Sequence, residues 1–128
     1  MSKFLYEFEN LLECFCETRN HLITGDFNMH VDNSESSYVK SFHNLISQYG
    51  YCQHVNSATH SGGHILYLIL SRKDDKWVNS VSVHDCDISD HSLVLCGFSL
   101  SHDRMYPTVT LSSDDGVDWI LENLGQIC

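Results

Sequence analysis

The chain has 128 residues, with 7 Lys and Arg against 17 Asp and Glu, a formal charge of −10 with histidine neutral. That length suits one domain, and 42% hydrophobic with 11% aromatic residues supplies a core, which excludes wholesale disorder. The acidic balance argues against a freestanding nucleic-acid binder, because such a chain repels phosphate backbones unless basic residues cluster or divalent cations intervene.

The nearest thing to a basic cluster is Arg72, Lys73 and Lys76, and Asp74 and Asp75 interrupt it. No apolar run approaches the roughly 18–20 residues of a membrane span, so no membrane partner is expected. Glu7, Glu9, Glu13 and Glu17 stand where a signal peptide would be apolar, and the expected setting is intracellular, cytoplasm or nucleus. The six cysteines (Cys14, Cys16, Cys52, Cys86, Cys96 and Cys128) form no CxxC pair, and reduced thiols are expected.

In chain order, Phe4, Leu5, Phe8, Leu11, Leu12 and Phe15 make one helical stripe with Ser2 available as its N-cap. His21 to Thr24 reads as a short buried strand ending in Gly25-Asp26-Phe27-Asn28. After the polar segment Asp32 to Ser37, a second helix presents Val39, Phe42, Leu45, Ile46 and Tyr49, with Gly50 as terminator. Tyr51 to Val55 follows as a strand. Ile65 to Leu70, Trp77 to Val83 and Leu93 to Leu100 are three further strand candidates. Between them lie loops at Gly62-Gly63, Arg72 to Lys76 and Asp85 to Asp90. Residues 101–128 change character: they hold the lone proline, Pro107, and a strand candidate at Thr108 to Leu111. A terminal helix is expected over Asp114 to Leu124, capped by Ser113, with Asp114 and Asp115 in its first turn. Helix and strand mixed in this way predict an α/β, more closely an α+β, layered fold.

Three short polar motifs each sit at the end of an apolar strand, where rigid scaffolds carry reactive groups. They are Gly25-Asp26-Phe27-Asn28, then Thr59-His60-Ser61-Gly62-Gly63-His64, then Ser89-Asp90-His91. Alone, the first is an ordinary Asx turn and the last a solvated loop. In this order, within HLITGDFNMHV, QHVNSATHSGGHILYLIL and DISDHSLVL, they resemble the endonuclease/exonuclease/phosphatase superfamily, the deoxyribonuclease-I-like fold. The likeness is greatest to the endonuclease domain of non-LTR retrotransposons, and it runs from about Phe4 to Leu100.

The resemblance implies a phosphodiester hydrolase acting on DNA with Mg²⁺ or Mn²⁺, in an α/β/β/α four-layer sandwich. It implies that Asp26 orients the attacking water and Asn28 hydrogen-bonds the scissile phosphate. Asp90 would stand beside the metal, His91 would contact a phosphate oxygen, and His60 and His64 would bind substrate. Such chemistry needs an oriented water and a cation or donors on the developing charge.

The chain departs from the family pattern in two places. Tyr67 occupies the position where the family carries an Asp that orients the histidine of Ser-Asp-His, and losing such a carboxylate costs on the order of 10⁴ in rate by analogy with serine proteases. The family's opening strands, with the Glu that ligates the metal, would precede Phe4. The expectation is therefore a partial sandwich: residues 1–100 as the second half of the domain, essentially one sheet with flanking helices, and 101–128 as a divergent tail. Metal binding through Asp90 alone should be weak. A sheet face carrying Leu22, Leu66, Leu68, Val94 and Phe98 would lack its partner and favour self-association. The rival reading is a non-catalytic remnant or interaction module. A zinc site from Cys52, His54, His60 and His64 fits no standard spacing. A serine triad is excluded, because Ser89, Asp90 and His91 are adjacent and no G-x-S-x-G elbow exists.

Overall fold

The computed structural model describes residues 1–99 and the strand segments Thr108–Ser112 and Asp118–Asn123. Helix α1 (Lys3–Cys14) begins where the Ser2 hydroxyl accepts the Leu5 N–H at 3.2 Å. Its stripe buries Phe4, Leu5, Phe8 and Leu12. Helix α2 (Ser37–Gln48) starts in the same way: Ser36 accepts the Val39 N–H at 3.4 Å, and Val39, Phe42, Leu45 and Ile46 turn inward. Tyr49 caps its end, and Gly50 follows as expected.

Strands β1 (His21–Asp26), β2 (Tyr51–Gln53), β3 (Tyr67–Arg72), β6 (Thr108–Ser112) and β7 (Asp118–Asn123) form one sheet in the order β2-β3-β1-β7-β6. Strands β4 (Val78–His84) and β5 (Leu93–Phe98) form a separate two-stranded sheet. Every described pairing is antiparallel. This is an α+β fold. No helix among the described residues is long and apolar enough to cross a membrane.

The two-residue alternation of the strands decides which layer each side chain joins. Ile23, Leu68 and Leu70 face the helices and join Phe4, Phe8, Phe27 and Phe42 in the main core. Phe8 and Phe27 meet edge to face at 5.7 Å, and Phe8 and Phe42 stack at 5.6 Å. Burying each of these rings contributes roughly 1.5–3 kcal/mol. Leu22 and Ile69 face the other way and pack with Val55 and Trp77, and β4 and β5 lay Val81, Val83, Val94, Cys96 and Phe98 against them.

Two expectations need correcting. The face expected to be bare is covered at Leu22 and Ile69; Val94 and Phe98 belong to the sheet that helps cover it, and Leu68 lies on the helix side. It stays half-open along the inward residues of β4 and β5. The second correction concerns the terminal helix expected over Asp114 to Leu124: Asp118–Asn123 is strand β7, paired with β1 through His21↔Asn123 to Thr24↔Ile120 and with β6. An unpaired β1 edge would leave a row of backbone donors and acceptors open, and strand pairing satisfies them where a helix would not. The expected cap at Ser113 and first-turn Asp114 and Asp115 lie outside the described residues, as does Pro107.

A candidate polar site at the strand ends

The first motif ends β1. Phe27 is buried, and its N–H donates to the Leu66 carbonyl at 2.9 Å, which ties the turn to the approach of β3. The Asp26 carboxylate accepts the Asn28 N–H at 3.0 Å, an Asx turn, and Asn28 is exposed in the left-handed region at φ 47°. Asparagine tolerates that conformation better than most residues.

The second motif is a tight turn pinned by Thr59. This residue is fully buried, and its hydroxyl oxygen accepts the N–H of Leu66 at 2.8 Å and of Tyr67 at 3.0 Å. The Thr59 and His60 N–H groups both donate to the His64 carbonyl, and the Gly63 N–H donates to the His60 carbonyl at 2.9 Å. Gly63 sits at φ 85°, where only glycine is unstrained. At Gly62 a Cβ would meet His60 Nδ1 at 3.0 Å, so glycine lets the Gly62 N–H donate to that nitrogen at 2.9 Å.

The third motif reaches the second by a single antiparallel bridge, His60↔His91. Ser61 N–H donates to the Asp90 carbonyl and Ser92 N–H to the Thr59 carbonyl, each at 2.8 Å. The Ser89 hydroxyl accepts the His91 N–H at 3.1 Å, and the Cys86 thiol donates to the His91 carbonyl at 3.3 Å.

These loops bring His60, Asp90 and His91 together, with one ligand atom from each within 4.8 Å of the others. His60 Nδ1 is occupied as an acceptor, so the neutral ring carries its proton on Nε2, which faces Asp90 Oδ2 at 3.3 Å. His91 Nε2 lies 4.0 Å from Asp90 Oδ1. Desolvation raises the Asp90 pKa, but the His60 hydrogen bond and the charges of His91 and His60 outweigh it and hold the carboxyl below its ordinary range. Tyr67, paired with Asp26 across β1 and β3, stacks on His91 at 4.8 Å. Burial first, then the nearby Asp26, Asp90 and Cys86 charges, push its phenol above its ordinary pKa. His91 Nδ1 is buried without a hydrogen-bond partner among the described residues.

His64 goes elsewhere. Its Nδ1 pairs with Asp32 Oδ2 at 3.0 Å, its ring stacks on His30 at 3.8 Å, and Asp32 Oδ1 accepts the Ile65 N–H at 2.9 Å. The residues of the zinc alternative are also split. Cys52 and His54 meet each other at 3.5 Å and lie beside Ser71, whereas His60 and His64 belong to two other groups. Thr59 and Asp32 hold structural roles that the sequence does not signal: Thr59 opens a histidine motif, and Asp32 lies in a polar stretch with no pattern of its own.

The donor set does not fit the metal implied by the resemblance. Mg²⁺ prefers a near-octahedral shell of oxygen, and Mn²⁺ favours carboxylate, carbonyl and water. Here the cluster offers two imidazole nitrogens and one carboxylate, while Asp26 is engaged in its own turn. No protein-family profile, curated protein or solved structure matches the chain.

Proposed function

We propose that this chain is a catalytically impaired member of the endonuclease/exonuclease/phosphatase superfamily, of the retrotransposon endonuclease type, descended from a Mg²⁺-dependent hydrolase of DNA phosphodiesters. One observation supports it above the others: three loops separated in sequence converge on a single polar patch. Asp26 pairs with Tyr67, Tyr67 stacks on His91, and His91 bridges to His60 beside Asp90. A solvated Asx turn and an unrelated Asp-His loop have no reason to meet in this way.

The same patch accounts for the impairment. A histidine that protonates or grips a phosphate oxygen works best when its second nitrogen is held by an acceptor, which fixes the tautomer and stabilises the imidazolium. Among the described residues His91 Nδ1 has no such partner, and the side chain stacked on it is a phenol whose pKa burial and neighbouring charges hold high. Asp26 retains a carboxylate able to orient water, and Asn28 an exposed amide able to donate to a phosphate oxygen. Among the described residues the cluster offers its ancestral metal a single carboxylate, Asp90, and no acceptor holds His91 Nδ1.

Purified chain incubated with supercoiled plasmid and Mg²⁺ or Mn²⁺ is expected to nick no faster than its Asp26→Ala variant. Metal-dependent nicking that Asp26→Ala abolishes would overturn the impairment. A dinucleotide phosphodiester titrated into ¹⁵N-labelled protein should shift the amides of Asn28, His60 and His91. Shifts confined to other surfaces would show that the patch is not a phosphodiester site.

A further inference from the structure

The misfit with Mg²⁺ points to a different occupant. We propose that His60, Asp90 and His91 form a binding site for a borderline transition-metal ion, zinc foremost, with two imidazole nitrogens and one carboxylate as ligands and water completing the shell. This does not rest on the hydrolase reading, since it concerns only which ion these side chains hold.

The backbone prearranges the two imidazoles. Residues opposite each other in an antiparallel bridge project to the same side with their Cβ atoms about 4.5–5.5 Å apart. His60 and His91 are such a pair, fixed by the hydrogen bonds of Ser61 and Ser92 on either side of the bridge. Their rings meet at 5.1 Å, nearly edge to face at 79°, so the two do not stack and shut the space between them. Asp90 precedes His91 and stands at the open rim, 65% exposed, with the two histidines at 29% and 26%, which leaves an ion a path inward.

The distances suit a first coordination shell. Zinc–nitrogen and zinc–oxygen bonds of about 2.0–2.2 Å at tetrahedral angles place neighbouring ligand atoms about 3.3–3.5 Å apart. His60 Nε2 and Asp90 Oδ2 are already 3.3 Å apart, His91 Nε2 lies 4.0 Å from Asp90 Oδ1, and one ligand atom from each residue lies within 4.8 Å of the others, so small side-chain rotations of all three close the shell. The carboxylate is ionised at neutral pH, and the net charge of −10 favours cations over anions in its field. Imidazole suits zinc, copper and nickel, whereas Mg²⁺ gives up water reluctantly and gains little from nitrogen.

Binding requires one rearrangement. A metal on His60 Nε2 moves the ring proton to Nδ1, where the Gly62 N–H now donates, so that amide must turn to water. Among the described residues His91 Nδ1 has no acceptor outside the shell either. Metal-binding histidines ordinarily donate their second N–H to an acceptor, and losing that partner costs about 10–100-fold in affinity. The site is therefore a modest binder, selective by ligand type.

Calorimetric titration of the full chain with zinc, paired with the visible absorption of its Co²⁺ form, tests this. The expected result is one zinc per chain and a Co²⁺ spectrum without sulfur-to-metal charge transfer. His60→Gln and His91→Gln should each weaken zinc at least roughly tenfold. Cys52→Ser should leave it unchanged, and Mg²⁺ at the same concentration should give no heat. Thermal unfolding without metal checks that the variants fold, and should His91→Gln fail to fold, half-exposed His60 decides alone. Unaltered zinc binding in His60→Gln, or loss of binding in Cys52→Ser, would overturn the proposal. Neither outcome depends on whether plasmid is cut, so the ion site and the hydrolase reading stand or fall separately.

Discussion

The Tyr67 ring lies on the His91 ring, 4.8 Å between centroids and 15° from parallel. Face-to-face contact holds the plane of the imidazole and shields it from water, but it fixes no proton. An acceptor on Nδ1 would choose the tautomer, and among the described residues that buried nitrogen has none. One side chain on β3 thus decides what His91 is able to do.

Replacing that side chain by a carboxylate reverses the situation. Tyr67→Asp is expected to give His91 Nδ1 an acceptor and so fix the ring proton on that nitrogen. Imidazole ¹⁵N chemical shifts of both proteins read the tautomer directly. An unchanged His91 tautomer would mean that position 67 does not face the orphaned nitrogen.

Thr59 holds two backbone donors at once. Thr59→Val keeps the shape and removes the hydroxyl, leaving the Leu66 and Tyr67 amides without their acceptor in a buried setting. Each orphaned donor costs about 1–3 kcal/mol. Denaturant unfolding should show that loss, and hydrogen exchange should show faster exchange at those two amides, while Thr59→Ser retains most of the protection.

Stability should fall on mild acidification. His21 is fully buried and hydrogen-bonded to Tyr51; burial first and the Arg72 charge second lower its pKa, against the opposing Asp75 carboxylate. Burial lowers that of His54 as well. The unfolded chain binds protons near an ordinary histidine pKa of about 6.5 and the folded chain only at lower pH. Stability from these groups is therefore complete above about pH 6.5 and declines as pH falls toward their folded pKa values. Unfolding midpoints across about pH 5–8 check the slope. His21→Phe should flatten it, and a midpoint independent of pH would contradict the assignment.

Core and surface should part clearly. Phe42 touches Phe4, Phe8 and Phe27 and is fully buried, so Phe42→Ala is expected to cost about 3–5 kcal/mol. Ile88 is 94% exposed, and Ile88→Ala should stay within about 0.5 kcal/mol of wild type. Denaturant unfolding of both variants measures the contrast.

Much of the fold is legible along the chain because its signals are local. The stripes of α1 and α2 and their serine caps repeat at helical spacing, and the bounds follow. Strand β3 begins at Tyr67, two residues later than its apolar run, because Ile65 and Leu66 give their N–H groups to Asp32 and Thr59. Those partners lie 33 and 7 residues away, and both acceptors are side-chain oxygens. The tail shows the same limit from the other side. Asp118–Asn123 has a pattern that reads as helix in isolation, and its state is set by the edge of a strand a hundred positions earlier.

By itself the sequence determined the two helices, the strands before the tail, the acidic charge and the three motifs that carry chemistry, because spacing and residue type are properties of neighbours. Only the tertiary structure decided which motif residues meet. The His60↔His91 bridge joins two of them beside Asp90, the salt bridge to Asp32 draws His64 away, and the Tyr67 stack leaves His91 Nδ1 bare. Hydrogen bonds and ring contacts act over a few ångströms in space, and distance along the chain does not encode them.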